Sequence, residues 1–275
     1  RDDSESIPDG GTTIIIGNGT VNGTVYGGGE VGRVERNTVV TIGIGEGEAS
    51  GTLTSKPIIK HNVYGGGKGE ETHGYSALVR GKTTVTIKGN ANVEGTVYGG
   101  GEIASVGRYN VAQTTEEATA HGVSVGMPYS LKHPSTESGN CYVTIGGYAE
   151  IGVNGMQMPT FSGHVFGAGK GILPREYPYA ANDATKTYTG ETKPQRIKNN
   201  NSMETLTTEP AYITFIETLG MTGRTFVNIE DHAFVKGSVY GGTENGHVLN
   251  DTRVTIDGFC QIGNGEGVNA RYTDW

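Results

Sequence analysis

Five copies of one short string each end on an ionisable side chain. The string begins with valine, an aromatic residue and glycine, and the charged station reads Glu30, Lys68, Glu102, Lys170 and Glu244. Carboxylates and amines in one row can act as an acid–base pair, or they can neutralise one another. If the copies stack about 4.8 Å apart, like charges would repel and alternating charges would pair. The strict alternation is therefore read as a structural charge ladder.

The aromatic station of the same string holds Tyr26, Tyr64, Tyr98, Phe166 and Tyr240. Each ring follows a valine, so an inward valine implies an outward ring. With the glycines beside it, such a column offers a flat strip able to stack sugar rings or receive a protein surface. The alternative is that the rings stack on each other or lie under inserted loops. The glycines themselves either leave that strip flat or serve a corner needing φ > 0. Tyr177, Tyr179 and Tyr188 add aromatic binding chemistry elsewhere in the chain.

Other chemistries are poorly served. The seven histidines are scattered, without a His-x-x-x-His or Cys-x-x-Cys pattern, so no metal site and no cofactor is expected. Gly45-Glu46-Gly47-Glu48 is acidic enough for weak calcium binding but reads better as a solvated turn. The Gly-Gly-Gly run lacks a following Gly-Lys-Ser/Thr, which argues against nucleotide binding. A net charge of −8 with no basic stripe argues against nucleic acid. No run of 18 apolar residues is present, so no membrane span is expected.

The elements that must position these residues are repeats. A second string, Thr-x-Val-Thr-Ile, occurs at Thr38, Thr83 and Thr252, with variants starting at Thr12, Cys141 and Thr225, and it alternates with the first. Between them lies a third, seen as Ala91 to Gly95 and Ala233 to Gly237. Each alternates apolar and polar residues and is punctuated by glycine, the pattern of short strands and tight turns. The shortest full period, Val227 to Val254, is 27 residues, which suits one coil of a three-faced solenoid. One coil cannot bury its own apolar face, so stacking must make the core. The predicted fold is all-β, a right-handed single-stranded parallel β-helix of about six coils forming one domain over residues 1–275.

The same ladders place the cysteines. Cys260 shares the small station of Ala91, Ala149 and Ala233, whereas Cys141 shares the station of Thr38, Thr83, Thr225 and Thr252. Two separate free thiols are therefore expected, not a disulfide. The outward threonines Thr41, Thr86, Thr144 and Thr255 are interrupted by Asn228, and their neighbours Val39, Thr84, Tyr142, Phe226 and Arg253 are irregular. That surface does not suit ice binding.

Three insertions, near 44–60, 103–139 and 171–223, break the period and are expected to project from one edge. The third includes Asn199-Asn200-Asn201 and, at Ala211 to Ile216, a segment that reads as an added strand. The chain begins at Arg1 and ends at Trp275 in mid-pattern, which reads as a piece of something longer. An uncapped solenoid end would also invite end-to-end self-association.

On Val-Tyr-Gly-Gly-Gly-Glu and Thr-Val-Thr-Ile, the sequence resembles the glycine-rich repeats of large extracellular, adhesin-like β-helix proteins of gut bacteria, Bacteroidota and Bacillota. The resemblance implies a secreted or cell-surface location and an interaction role, and it carries over no catalytic residues. The expected function is a non-catalytic scaffold that binds glycan or protein through the aromatic strip and the inserted loops. The runner-up is a β-helix polysaccharide lyase or glycoside hydrolase with a cleft walled by the second and third insertions. A structural fibre segment is the third reading.

Overall fold

The computed structural model describes residues 11–44, 56–74, 76–125, 128–130, 137–153, 162–198 and 202–263. Among these residues three parallel sheets run along the molecule, two with six described strands and one with five. The first contains Gly11–Ile16, Asn37–Ile42, Thr83–Ile87, Asn140–Ile145, Arg224–Ile229 and Thr252–Ile256. The second contains Thr20–Val21, Ile58–Ile59, Asn92–Val93, Glu150–Ile151, Phe234–Val235 and Gln261–Ile262. The third contains Val25–Tyr26, Val63–Tyr64, Val97–Tyr98, Val165–Phe166 and Val239–Tyr240. The chain visits the three in turn, coil after coil, as a parallel solenoid.

Register follows the sequence strings. Val40, Val85, Val143, Val227 and Val254 stand opposite one another, as do Ile42, Ile87, Ile145, Ile229 and Ile256. All but Val254 and Ile256, which are exposed in the last coil, join the valines of the third sheet in one continuous apolar core. Among the interior coils these side chains are 0–1% exposed, which places nearly their full transfer free energy, about 1.5–3 kcal/mol each, in the stack.

An inward threonine stands near the start of five of the six first-sheet strands and is buried in the interior coils, and in four of the five its hydroxyl closes the coil. Thr38 and Thr83 donate to the carbonyls of Gly65 and Gly99 at 2.6 Å. Thr12 and Thr225 do the same to Gly27 and Gly241. In the fourth coil Cys141 takes the threonine's place. The carbonyl that accepts this bond also explains the glycines. A Cβ at Gly27, Gly65, Gly99 or Gly167 would lie 2.2, 2.3, 2.1 or 2.4 Å from a carbonyl oxygen of the next coil. None of these glycines has positive φ. Close coil-to-coil approach, not a left-handed corner, requires them.

Two expectations are corrected. The coil has a minor fourth ladder, in which Val34 bridges Val79 and Val79 bridges Val106. Val106 then donates to Met221, whose strand pairs with His247–Val248. The insertions are also shorter than the strings suggested. Ile58–Ile59 belongs to the second sheet, Val106 to the fourth ladder, and Met221–Thr222 to its continuation.

What projects is held at narrow glycine necks. Gly107 and Gly139 have φ of 114° and 87°, and a Cβ on Gly107 would lie 2.9 Å from the Cα of Gly139. Gly171 and Gly220 form the same neck, with a Cβ on Gly220 at 2.9 Å from the Cα of Gly171. A third neck, Gly152 and Gly163, bounds a lengthened connection that the sequence reading did not separate out.

The excursion between Gly107 and Gly139 carries an antiparallel hairpin, Tyr109–Val111 with Pro128–Ser130, and helix α1, Thr115–His121. Thr114 caps α1 by accepting from the Glu117 N–H, and Gly122 ends it with φ 67°. The excursion between Gly171 and Gly220 carries the hairpin Gln195–Ile197 with Met203–Thr205 and helix α2, Glu209–Ile216. The segment expected as a strand at 211–216 is thus helical. Thr208 caps it and Pro210 sits in its first turn, signals that outweigh its β-branched and aromatic residues. Tyr212, Phe215 and Ile216 bury against Tyr188, Leu206 and Leu219 as a small second core.

Candidate functional site

The charged station is paired in two places. Lys68 meets Glu30 at 2.7 Å and Lys170 meets Glu102 at 3.6 Å. The Lys68 ammonium lowers the Glu30 carboxyl below its ordinary range, and Glu30 in turn raises Lys68. The glutamates also serve the rings. Tyr26 donates to Glu102 and Tyr98 to Glu244, in each case two coils along. Tyr64, whose counterpart two coils along is a lysine, accepts instead from Asn62 at 3.2 Å.

The aromatic column is closed. Its rings stack at 5.1, 4.6, 5.2 and 4.6 Å with interplanar angles of 6–10°. Tyr64, Tyr98 and Phe166 are therefore buried, separate from the valine core, and present no face to a ligand. Burial and the neighbouring glutamates push the Tyr26 and Tyr98 phenols well above their ordinary value. Only the end rings keep a free face, and Tyr240 is 44% exposed. The expectation of an open strip is corrected because each ring contacts its neighbours' faces, which is worth about 0.5–1.5 kcal/mol per pair.

Of the three loop tyrosines, Tyr188 is buried, and Tyr177 packs edge-on against it and Tyr212. Desolvation pushes the Tyr188 phenol up to about 12. Tyr179 remains exposed, with the Lys186 ammonium 5.3 Å from its ring centre.

A concavity lies where the two excursions face each other across the flank of the solenoid. It is a cleft of about 950 Å3. Asn110 and Gln113 line one wall, and Arg196, Lys198, Thr205 and Thr214 line the other, with Ile197, Phe215 and Met221 supplying apolar floor. Glu204 is the only carboxylate among the described lining residues, and Arg196 and Lys198 both pair with it. Polar hydrogen-bonding groups over an apolar floor suit binding. A paired carboxylate in that position does not suit general acid–base work. The sequence sets these two insertions as the walls of a cleft only for the lyase or hydrolase alternative, and it marks none of the lining residues as part of a site.

A shallower groove of about 740 Å3 crosses the outer face of the first sheet near its last coils. Tyr142 stacks on Phe226 there, and Arg253 follows in register. Burial, followed by the charges of Asp231 and Asp257, raises the Glu230 carboxyl. A Cβ on Gly146 would lie 3.1 Å from Asp231 Oδ2 and 3.3 Å from Glu230 Oε1, so these carboxylates close over a position that has no side chain.

Both cysteines are free, as expected, and burial pushes Cys141 up to about 12. Among the described residues no cluster of histidine, cysteine and carboxylate side chains could hold a metal ion. The Gly45 to Glu48 turn and Asn199 to Asn201 lie outside the described residues. No helix is long and apolar enough to cross a membrane among the described residues. Comparison with protein-family models, curated proteins and solved structures returned no match.

Proposed function

We propose that this chain is a non-catalytic scaffold, secreted or held at a bacterial cell surface, that binds a glycan or a protein segment in the cleft between its two excursions. The coil is taken as right-handed, the hand that parallel crossovers adopt. The observation that carries the reading is the cleft itself: 950 Å3, mixed polar and apolar, with its carboxylate neutralised. The surface location rests on the repeat resemblance alone.

A glycan and peptide array on the purified chain tests this, run beside Ala211→Trp and Thr214→Trp, two exposed positions of α2 that line the cleft. Binding without turnover that both variants abolish supports the proposal. Binding that ignores both variants contradicts it.

The second reading, a polysaccharide lyase or glycoside hydrolase, has one observation in its favour. Burial, then the charges of Asp231 and Asp257, raise the Glu230 carboxyl, the direction that the general acid of glycoside hydrolysis needs. Reducing-sugar release by the chain, lost in Glu230→Gln, would establish that reading and displace the first.

A further inference from the structure

The charges that line the cleft between the excursions do not balance. Arg196 lies in the hairpin strand Gln195–Ile197 and Lys198 directly after it, and both line the cleft. Across the hairpin, Glu204 stands in register with Arg196. One of its oxygens meets Arg196 Nε at 2.5 Å, and the other meets Lys198 Nζ at 3.2 Å. Arg196, and after it Lys198, hold the Glu204 carboxyl below its ordinary range. Two cations on one carboxylate leave one positive charge, in a chain whose net charge is −8.

Glu117 of α1 and Glu209 of α2 are engaged elsewhere. Glu117 accepts from the Tyr129 hydroxyl and from the Gln113 N–H, and Glu209 pairs with Lys186 at 2.5 Å. Residues 126–127, 131–136 and 199–201 of the excursions, which lie outside the described residues, contain no aspartate or glutamate. Pro210 and Ala211 bring the start of α2, the positive end of its dipole, to the lining of the cleft.

The surplus charge is within reach of a ligand, since the Arg196 and Lys198 side chains are 40% and 44% exposed. Arg196 meets Glu204 through Nε, and a guanidinium has further N–H donors in a fork that matches a carboxylate. The exposed hydroxyls of Thr205, Thr207 and Thr214 stand around it. An extended peptide draws its affinity from main-chain bonds at a strand edge, and the edges of this hairpin are taken by the chain itself. Ile197 donates its N–H to the Thr72 carbonyl at 2.7 Å, and the Thr207 carbonyl accepts from the Tyr188 N–H at 2.9 Å, beside the bridge of Thr187 with Thr208. Recognition in the cleft is left to side chains.

We propose that the ligand of this cleft is an acidic glycan, a chain of sugar rings that bear carboxylates, held by Arg196 and Lys198. The inference rests on the cleft being the binding site. Such a chain places a carboxylate on the surplus charge and its hydroxyls on the threonines.

The probes are fluorescent hexasaccharides of polymannuronate, polyglucuronate and hyaluronan, each beside its carboxyl-reduced, neutral counterpart, titrated against the intact chain by anisotropy. At least one acidic probe is expected to bind saturably, with its neutral counterpart weaker by about tenfold. Lys198→Gln should weaken the acidic probe about threefold and Lys198→Glu about tenfold, while the thermal midpoint of Lys198→Gln stays where it is because the pair is exposed. Thr214→Trp should abolish the binding. Equal binding of acidic and neutral probes, lost in Thr214→Trp, would keep the cleft as the binding site and overturn its acidic ligand. Acidic binding that survives Thr214→Trp would place the site elsewhere and overturn both readings. Binding indifferent to Lys198→Glu, binding of none of the three acidic probes, or binding only of a poly-glutamate peptide in their stead overturns the proposal.

Discussion

The inward threonine and the glycine it bonds across the coil are the residues on which the stack depends most locally. Thr83→Val leaves the Gly99 carbonyl without its hydroxyl donor in a buried position, and should cost about 1–3 kcal/mol in urea unfolding. Cys141→Thr should instead gain about 0.5–1.5 kcal/mol, because Thr83 and Thr225 flank it in register and already make this bond. The glycines give a sharper contrast. Gly99→Ala puts a methyl group 2.1 Å from a carbonyl oxygen and should destabilise by about 3 kcal/mol, whereas Gly242→Ala should stay within about 0.5 kcal/mol. Equal effects at the two positions would show that coil-to-coil approach is not what selects glycine.

His164 supplies a pH dependence at the same scale. Its Nδ1 accepts the Ser238 N–H at 2.9 Å, and burial lowers its pKa below the ordinary 6.5. The unfolded chain therefore binds more protons than the folded one just below pH 6.5. The stabilisation is present above that value and is lost as pH falls through the folded pKa. Denaturation midpoints of the chain and of His164→Asn should diverge above pH 6.5 and converge at lower pH, with the Glu244 charge, which opposes the shift, held constant across the comparison.

At the scale of elements, the glycine necks predict that the excursions are separable from the coil. A trans peptide spans 3.8 Å between Cα atoms, and a Cβ built on one neck glycine would already lie 2.9 Å from the Cα of its partner. Joining Gly107 directly to Gly139, or Gly171 to Gly220, should leave a folded solenoid with the same cooperative unfolding. Loss of the transition would mean that the excursions are part of the core. The repeat strings made the three sheets legible because each string is one strand and its corner, with a fixed number of residues to the next. The excursions were legible only as gaps in that count. Their boundaries were misplaced because Ile58–Ile59, Val106 and Met221–Thr222 occupy coil stations without carrying a recognisable string. Helix α2 was missed because Thr208 and Pro210, its start signals, stand before residues whose side chains favour strands.

The whole molecule assigns different work to its repeated and unrepeated parts. The aromatic and charged columns, the most conspicuous sequence signals, are occupied with one another: rings by rings, glutamates by lysines and by tyrosine hydroxyls two coils away. The pairing of charges was legible in their alternating sign, whereas the stacking of the rings stood as one of two readings, because spacing fixes register but not whether neighbouring faces are covered. The concavity arises where two excursions of unlike sequence meet. The most direct test is a chain with both excursions excised at their necks, examined by circular dichroism and on the same glycan and peptide array as the intact chain. The account predicts a cooperatively unfolding β structure that has lost the intact chain's ligand. Retained binding, or a collapsed fold, would contradict it.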